Sequence, residues 1–534
     1  MKPMNKRVAV IGAGASGLAT IKSCVEEGLE PVCFERHDQL GGLWYFTEKL
    51  RPGQVAATYR SIITNTSKEI FVYSDFPLPK ETPVFPPRQR IHQYLKDYAD
   101  HFGLEKYIRY NCNVVQVVPA TDHASSGKWN VHFQDGRGQD GGKIETFDGV
   151  IVCSGGFGDI YVPQISGIED YEGLTMHSNQ YREPSPFEGK RVVVVGAAFT
   201  AGELACELGR HYCKVYLSMR NGTNVMPRLA KNGLPFFLSG VNRANLTFLS
   251  HTGKRIFEEH KKCRTPDNEL YGLAAKKNRG QPESIMSNDE IQDCIAAGQV
   301  EIIDEIVNFT KTGVVLADGR TVSDVDVVIF ATGYLIQYKM LDQKLIFDDS
   351  GYLNLYKYIL PVELEHPTLT IVGVLSTFIP STWNTFELQG RWSARLLSGK
   401  MTLPCKRRMQ EDIRRRPRPT RHYKVLDCTL YQDELARDLG ILPSVLKLLF
   451  TDPRLAYAFY FLPPVGAWYR LQGQASWTGA RNAIFSVWGN IFYAMNPRST
   501  KRTWKMKFIE HKRCILCFSA LVLATIYFRR TYTA

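Results

Sequence analysis

At 534 residues the chain has room for about three domains and a large buried core. Apolar residues make up 44% and charged residues 22%, which excludes a disordered chain, a collagen and a polytopic membrane protein. Lysines and arginines exceed acids by 13, a balance that suits an anionic membrane surface, phosphate-bearing cofactors or nucleic acid. The twelve cysteines are too sparse for a disulfide scaffold and form no metal pattern, since the only C-x-x-C, Cys514 with Cys517, lacks a second ligand pair. Reduced thiols of a cytosolic environment are expected. The N-x-[ST] matches at Asn65, Asn221, Asn245 and Asn308 are then chance, with no secretory signal before them.

Arg7 to Ile11 is a short apolar run that meets glycine at once, the pattern of a buried strand. Gly12, Ala13, Gly14, Ala15, Ser16 and Gly17 follow. A helix is predicted over Leu18–Glu27 and a strand over Pro31–Phe34, ending at Glu35. Strand, tight turn, helix and strand within about thirty residues make the βαβ dinucleotide unit. Gly12 permits the turn, Gly14 lets the backbone approach a pyrophosphate, and Gly17 lets the helix pack on its strand. The pyrophosphate would lie at the helix N-terminus, where free N–H groups and the dipole favour an anion. Glu35 stands where a carboxylate accepts both hydroxyls of an adenosine ribose without a 2′-phosphate.

The unit recurs. A strand over Val192–Val195 runs into Gly196, a helix over Gly202–Gly209 and a strand over Val215–Leu217. Gly12 to Glu35 and Gly196 to Met219 are both 23 residues, so the copies align in register and imply two nucleotides. The second copy has Ala198 and Ala201 where the first has Gly14 and Gly17, and the methyl of Ala198 falls near the pyrophosphate. Its second strand ends on Arg220 instead of an acid, which suits a 2′-phosphate and so favours NADP over NAD. Phe147–Gly156 and Asp326–Gly333 read as buried strands ending in small-residue turns, where the chain crosses between domains; Pro163, Pro184 and Pro186 mark the crossing. The fold class is therefore α/β, two Rossmann-like domains with the NADP domain inserted in the first.

The carboxyl-terminal part differs in composition. Lys406 to Lys424 carries nine lysines and arginines against Glu411 and Asp412, a solvated face with an added hold on anionic lipid as the alternative. Leu455–Trp468 is aromatic and interrupted by Pro463 and Pro464, suited to a membrane interface or a tunnel wall. Cys514–Phe528 is fifteen residues without a charge, between His511-Lys512-Arg513 and Arg529-Arg530. As a helix it would reach about 22 Å against roughly 30 Å for a bilayer core, so it is expected to attach to a membrane, by spanning or by embedding. Nucleic-acid binding is not expected, because no recognition fold accompanies the charge.

Taken together, Gly12–Gly17, Glu35, Gly41-Gly42-Leu43-Trp44, Thr64-Asn65-Thr66-Ser67-Lys68-Glu69, Ser74–Pro77, Phe330–Tyr334, Glu387-Leu388-Gln389, Thr451–Pro453 and Trp477–Ala483 resemble the flavin-containing monooxygenases. Tyr171, Gly173, His177 and Tyr181 match that family's F-x-G-x-x-x-H-x-x-x-[FYW] motif, with tyrosine first. The resemblance implies residues 1–157 as the first part of an FAD domain and 158–330 as an inserted NADP domain with an extra segment at about 225–295. It implies 331–440 as the second FAD part, 441–513 as a substrate-access and membrane-surface region, and 514–528 as a tail anchor like that of the mammalian-type members. The expected location is the endoplasmic reticulum membrane, with the catalytic domains facing the cytosol and a homo-oligomer left open.

The activity implied is oxygenation of soft nitrogen or sulfur nucleophiles of small lipophilic compounds with NADPH and O₂, through an FAD C4a-hydroperoxide. NADPH oxidation to H₂O₂, oxygen insertion beside a carbonyl, and a membrane flavoprotein that no longer turns over stand as alternatives. By the same resemblance Gly12, Ala13, Gly14, Ala15, Ser16, Gly17 and Glu35 would hold FAD, with Leu43 and Trp44 along the flavin. Asn65 would be the catalytic polar residue, completed by Thr64 and Thr66. Gly196, Thr200, Ala201, Gly202, Glu203 and Arg220 would lie against NADP. His177 is expected to be structural. A disulfide reductase is excluded because no C-x₄-C follows the first helix.

Overall fold

The computed structural model describes residues 6–136, 142–230, 233–244, 267–274, 284–374, 382–416 and 428–497. The apolar tail at Cys514–Phe528 lies outside them, as do 231–232, 245–266 and 275–283 of the extra segment. Among the described residues no helix is long and apolar enough to cross a membrane.

Two five-stranded parallel sheets form the frame. In the first, Arg7–Ile11 is central, flanked by Glu30–Phe34 and Gly149–Val152, with Ile108–Arg109 and Leu369–Ile371 at the edges. In the second, Arg191–Val195 is central, flanked by Lys214–Ser218 and Val327–Phe330, with Val300–Ile303 and Leu174–His177 outside. Both sheets have their faces covered, so their strands are runs of valine and isoleucine rather than alternating patterns. Arg7 pairs with Glu30 and Arg191 with Lys214, the same offset of 23 residues in each unit. Every strand of the second sheet lies between Leu174 and Phe330, whereas the first sheet is completed only by Leu369–Ile371. Side-chain periodicity places the helices three residues late: they run over Ala15–Glu27 and Phe199–Arg210, each starting directly after the extended residue Gly14 or Ala198.

An antiparallel sheet of Cys112–Pro119, Trp129–Asp135 and Lys143–Phe147 covers the first sheet on one side, sharing a core with Phe34, Val150 and Trp392. The helix Thr382–Leu397 crosses Ala15–Glu27 closely: a Cβ on Gly390 would stand 2.8 Å from Thr20 Oγ1. Below that crossing, Arg470 pairs with Glu387 at 2.7 Å and with Asp75 at 3.2 Å, while Lys22 pairs with Asp75 at 2.6 Å. These charges are buried, so the carboxyl-terminal region is tied ionically to the first helix.

Candidate functional site

Both central strands end in a glycine that only glycine can be. Gly12 has φ 103° and Gly196 φ 148°, and a Cβ would stand 2.8 Å from the Cys153 carbonyl oxygen in one and 2.5 Å from that of Ala331 in the other. Gly17 is needed for a different reason, because its Cβ would sit 1.8 Å from the Gly12 carbonyl oxygen. Gly14 is neither strained nor crowded. Its backbone is extended (φ −80°, ψ −168°), and the nearest atom to a Cβ there is Gly42 Cα at 3.6 Å. A Cβ on Gly42 would in turn approach Gly14 Cα to 3.1 Å. The two bare glycines form a slot at the N-terminus of the helix Ala15–Glu27, a cradle that side chains would fill and that fits a dinucleotide pyrophosphate.

That slot opens into a cavity of about 680 Å³, within the range of a cofactor site. Gly12, Gly14, Ala15, Ser16, Glu35, Leu43 and Trp44 line it, as the sequence expects. Ala13 and Gly17 do not; they are buried behind it and hold its shape. Glu35 is 4% exposed, and its oxygens accept from Ala13 N at 2.8 Å and His37 N at 2.9 Å. Burial pushes its carboxyl above the usual range, opposed by those two N–H groups. The backbone thus orients Glu35, and each oxygen keeps a second lone pair for a ribose hydroxyl.

The cavity is asymmetric. Glu35, Arg36 and Lys339 supply its polar wall, near the strand Cys112–Pro119, with His37 beside them held neutral because burial, then Arg36, lowers it to about 4. At the other end Trp44, Phe71 and Trp383 pack as a ring cluster, with centroids 5.4 Å apart for Trp44–Phe71 and 4.7 Å for Phe71–Trp383. Trp383 and Phe386 were not read from the sequence; they line the cavity because the helix Thr382–Leu397 returns over the first helix. The cysteines on the wall, Cys112 and Cys153, are buried, and burial pushes the Cys153 thiol up to about 12.

Thr64, Asn65 and Thr66 lie away from that cavity's wall, in the cleft between the two sheets. Thr64 Oγ1 donates to the Thr66 carbonyl at 2.9 Å, so its hydroxyl shapes the turn around Asn65. Of the residues expected against NADP, Gly196, Thr200 and Ala201 stand at or beside the N-terminus of the helix Phe199–Arg210, and Arg220 is exposed beyond the strand Lys214–Ser218. Gly202 has a packing role, since its Cβ would be 2.4 Å from Met286 Sδ. Glu203 departs furthest from expectation. It accepts from the Tyr59 hydroxyl and pairs with Arg228 at 2.7 Å, so its oxygens are taken up by protein partners, and an anion there would repel a phosphate. Burial pushes its carboxyl up, against the pull of Tyr59 and Arg228. Arg228, which the sequence did not single out, also donates from Nε to Asn65 Oδ1 at 3.1 Å and stands 3.7 Å from Asp289. His177 is buried, with Nε2 against the Gly333 carbonyl at 3.1 Å and Nδ1 accepting from Asn179 N at 3.2 Å. Both ring nitrogens are spent on the backbone, which makes it a structural residue of the crossing.

Comparison with known proteins agrees with this architecture. The family model described as "FMO-like: Flavin-binding monooxygenase-like" matches residues 5–530. The rabbit (Oryctolagus cuniculus) protein "Dimethylaniline monooxygenase [N-oxide-forming] 2" is 36% identical, over 98% of this chain and 99% of its own. "Flavin-containing monooxygenase 5" of Cavia porcellus is also 36% identical, over 97% and 99%. Among solved structures, S-allyl-L-cysteine S-oxygenase from Allium sativum superposes with a TM-score of 0.60 at 23% identity, covering 98% of this chain and 99% of that one, a likeness of fold.

Proposed function

The chain belongs to the flavin-binding monooxygenase-like family and is an FAD-dependent NADPH monooxygenase, and from that premise we propose that it oxygenates soft nitrogen or sulfur nucleophiles of small lipophilic compounds. The observation that carries this reading is the division of the cavity: Glu35, Arg36 and Lys339 stand at one end, and the Trp44–Phe71–Trp383 ring cluster at the other. FAD, when bound, supplies the redox chemistry that takes electrons from NADPH and divides O₂ between product and water. The protein's part is positioning. Gly12, Gly14 and Ser16 bind the pyrophosphate, Glu35 holds the ribose, and the aromatic end excludes water and receives an apolar substrate. Asn65 keeps an amide donor in the cleft for developing negative charge. No general base is required, because a soft nucleophile attacks through its own lone pair. Purified enzyme given NADPH, O₂ and N,N-dimethylaniline should form the N-oxide, with one NADPH consumed per product. H₂O₂ as the only product, or a lactone from a cyclic ketone with no N- or S-oxide, would sink the reading.

The reading extends to the endoplasmic reticulum membrane, with attachment through the tail Cys514–Phe528. Two described surfaces support it. The helix Ala480–Met495 keeps Phe485, Trp488 and Phe492 only half-buried, and Phe450, on the helix Val445–Thr451 whose Leu448 packs against the same cluster, is 74% exposed. The helix Lys406–Arg415 buries only Met409 and Ile413 and presents Arg408, Arg414 and Arg415 to solvent. Full-length protein found entirely in the soluble fraction at physiological salt would overturn membrane attachment.

A further inference from the structure

Arg228 is held in place before its side chain does anything. Its backbone N donates to Asp289 Oδ1 at 3.0 Å, and its carbonyl accepts from Phe236 N at 2.9 Å. The guanidinium, 12% exposed, then reaches out of the nucleotide domain in three directions: Nη2 to Glu203 at 2.7 Å, Nη1 towards Asp289 at 3.7 Å, and Nε to Asn65 Oδ1 at 3.1 Å. Glu203 also accepts from Tyr59, whose ring packs in the core of the second sheet, so Glu203 is fixed from its own side. The contact that leaves this cluster is the one from Arg228 Nε, and it ends on the Asn65 amide.

A primary amide has an accepting half and a donating half, and a guanidinium can only donate. Whichever face of Asn65 meets Arg228 must therefore be its oxygen, and the NH₂ must turn the other way. We propose that Arg228 is a positioning residue: from the nucleotide domain it sets the orientation of the Asn65 amide and so the direction in which its donor points. The proposal rests on the role given to Asn65 above. Glu203 and Asp289 neutralise the buried guanidinium and keep it pointed at Asn65 instead of at a phosphate. The helix Phe199–Arg210, which receives the nicotinamide cofactor at its N-terminus, carries Glu203 one turn in, so cofactor binding and amide orientation share one element.

The test compares Arg228→Lys with Arg228→Gln in the full-length, FAD-loaded enzyme. Lysine is a pure donor; glutamine offers a donor and an acceptor and can pair with either half of the amide. With N,N-dimethylaniline as probe, Arg228→Gln should raise the share of NADPH lost as H₂O₂ about tenfold, less than the roughly 10²–10³ expected for removing such a donor. Arg228→Lys should stay within about twofold of the parent. Without NADPH, hydrogen exchange at residues 64–66 should rise in the glutamine variant and not in the lysine one. In an Asn65→Ala background Arg228→Gln should add no further leakage. Equal leakage from both Arg228 variants, a coupled Arg228→Gln enzyme, or leakage that adds fully to that of Asn65→Ala would overturn the positioning role alone. If Asn65→Ala itself remains coupled, the role of Asn65 falls, and that of Arg228 with it.

Discussion

The two βαβ units share a strand register and a connection length, yet their fingerprints obey different constraints. At the first position both need glycine, since Gly12 and Gly196 have positive φ and face a carbonyl. At the third they diverge: Gly17 has no room for a methyl, whereas Ala201 carries one, fully buried. The second position is the instructive one. Gly14 and Ala198 have nearly the same backbone, extended with ψ −168° and −169°, so glycine there is no demand of the fold. It is a demand of the ligand: the first unit leaves a slot opposite Gly42, and the second has a methyl in the equivalent place. A Gly-rich fingerprint thus mixes folding residues with binding residues, and substitutions separate them.

The largest expected break is Gly17→Ala. A Cβ at 1.8 Å from a backbone oxygen forces helix and strand apart, so the variant should fail to yield folded protein, whereas Ala201→Gly in the other unit should lose only about 1 kcal/mol. Thermal unfolding compares them; equal stability of the two variants would erase the distinction. Next comes Gly14→Val, which should fold, by far-ultraviolet circular dichroism, but purify without FAD, because its side chain enters the slot and not the core. A yellow Gly14→Val protein would show that the slot does not hold the pyrophosphate.

The units also differ in how their helices are braced, and pH separates them. Burial opposes ionisation of Glu387, but Arg470, Lys22 and Arg391 prevail and hold its carboxyl at about 2, below the ordinary 4.5. A depressed carboxyl contributes stability that is present above its unfolded value and lost as pH falls through the folded one, here from about 4.5 to about 2, on the order of 3 kcal/mol. Glu203, on the second helix, is shifted the other way, so its contribution weakens as pH rises above 4.5. Urea midpoints should fall between pH 4.5 and 2 in the parent and fall less steeply in Glu387→Gln, where the other depressed carboxylates, Glu145 and Glu434 among them, still titrate.

Smaller effects sharpen the second fingerprint. Ala198→Gly should tighten NADPH by about five- to 150-fold, if the methyl displaces a contact of about 1–3 kcal/mol; unchanged affinity would mean the methyl is accommodated. Arg220→Ala should narrow the preference for NADPH over NADH by about tenfold, and an intact preference would assign the 2′-phosphate to another basic group.

Much of this frame was legible in the chain itself. A buried strand, a glycine turn and an amphipathic helix are local patterns, and their recurrence at a 23-residue offset appears directly in the pairing of Arg7 with Glu30 and Arg191 with Lys214. The cavity wall that holds Gly12, Gly14, Ala15, Ser16 and Glu35 was legible too, because one short segment builds both turn and wall. What stayed hidden depends on chain crossings. Glu203 looked like a cofactor contact from its place after the second fingerprint, but its partners Tyr59 and Arg228 come from 144 and 25 positions away. Arg228 is 163 positions from Asn65, and nothing in its own neighbourhood of sequence marks it. Trp383 closes the aromatic end of the cavity only because a late helix folds back over the first one. Local hydrogen bonding and side-chain period are written in consecutive residues, so the sequence by itself determined two nucleotide units and their glycines. Which side chains meet across the cleft, and which half of the Asn65 amide is free, was decided by the tertiary structure, because burial and charge pairing act between whatever elements the packing brings together.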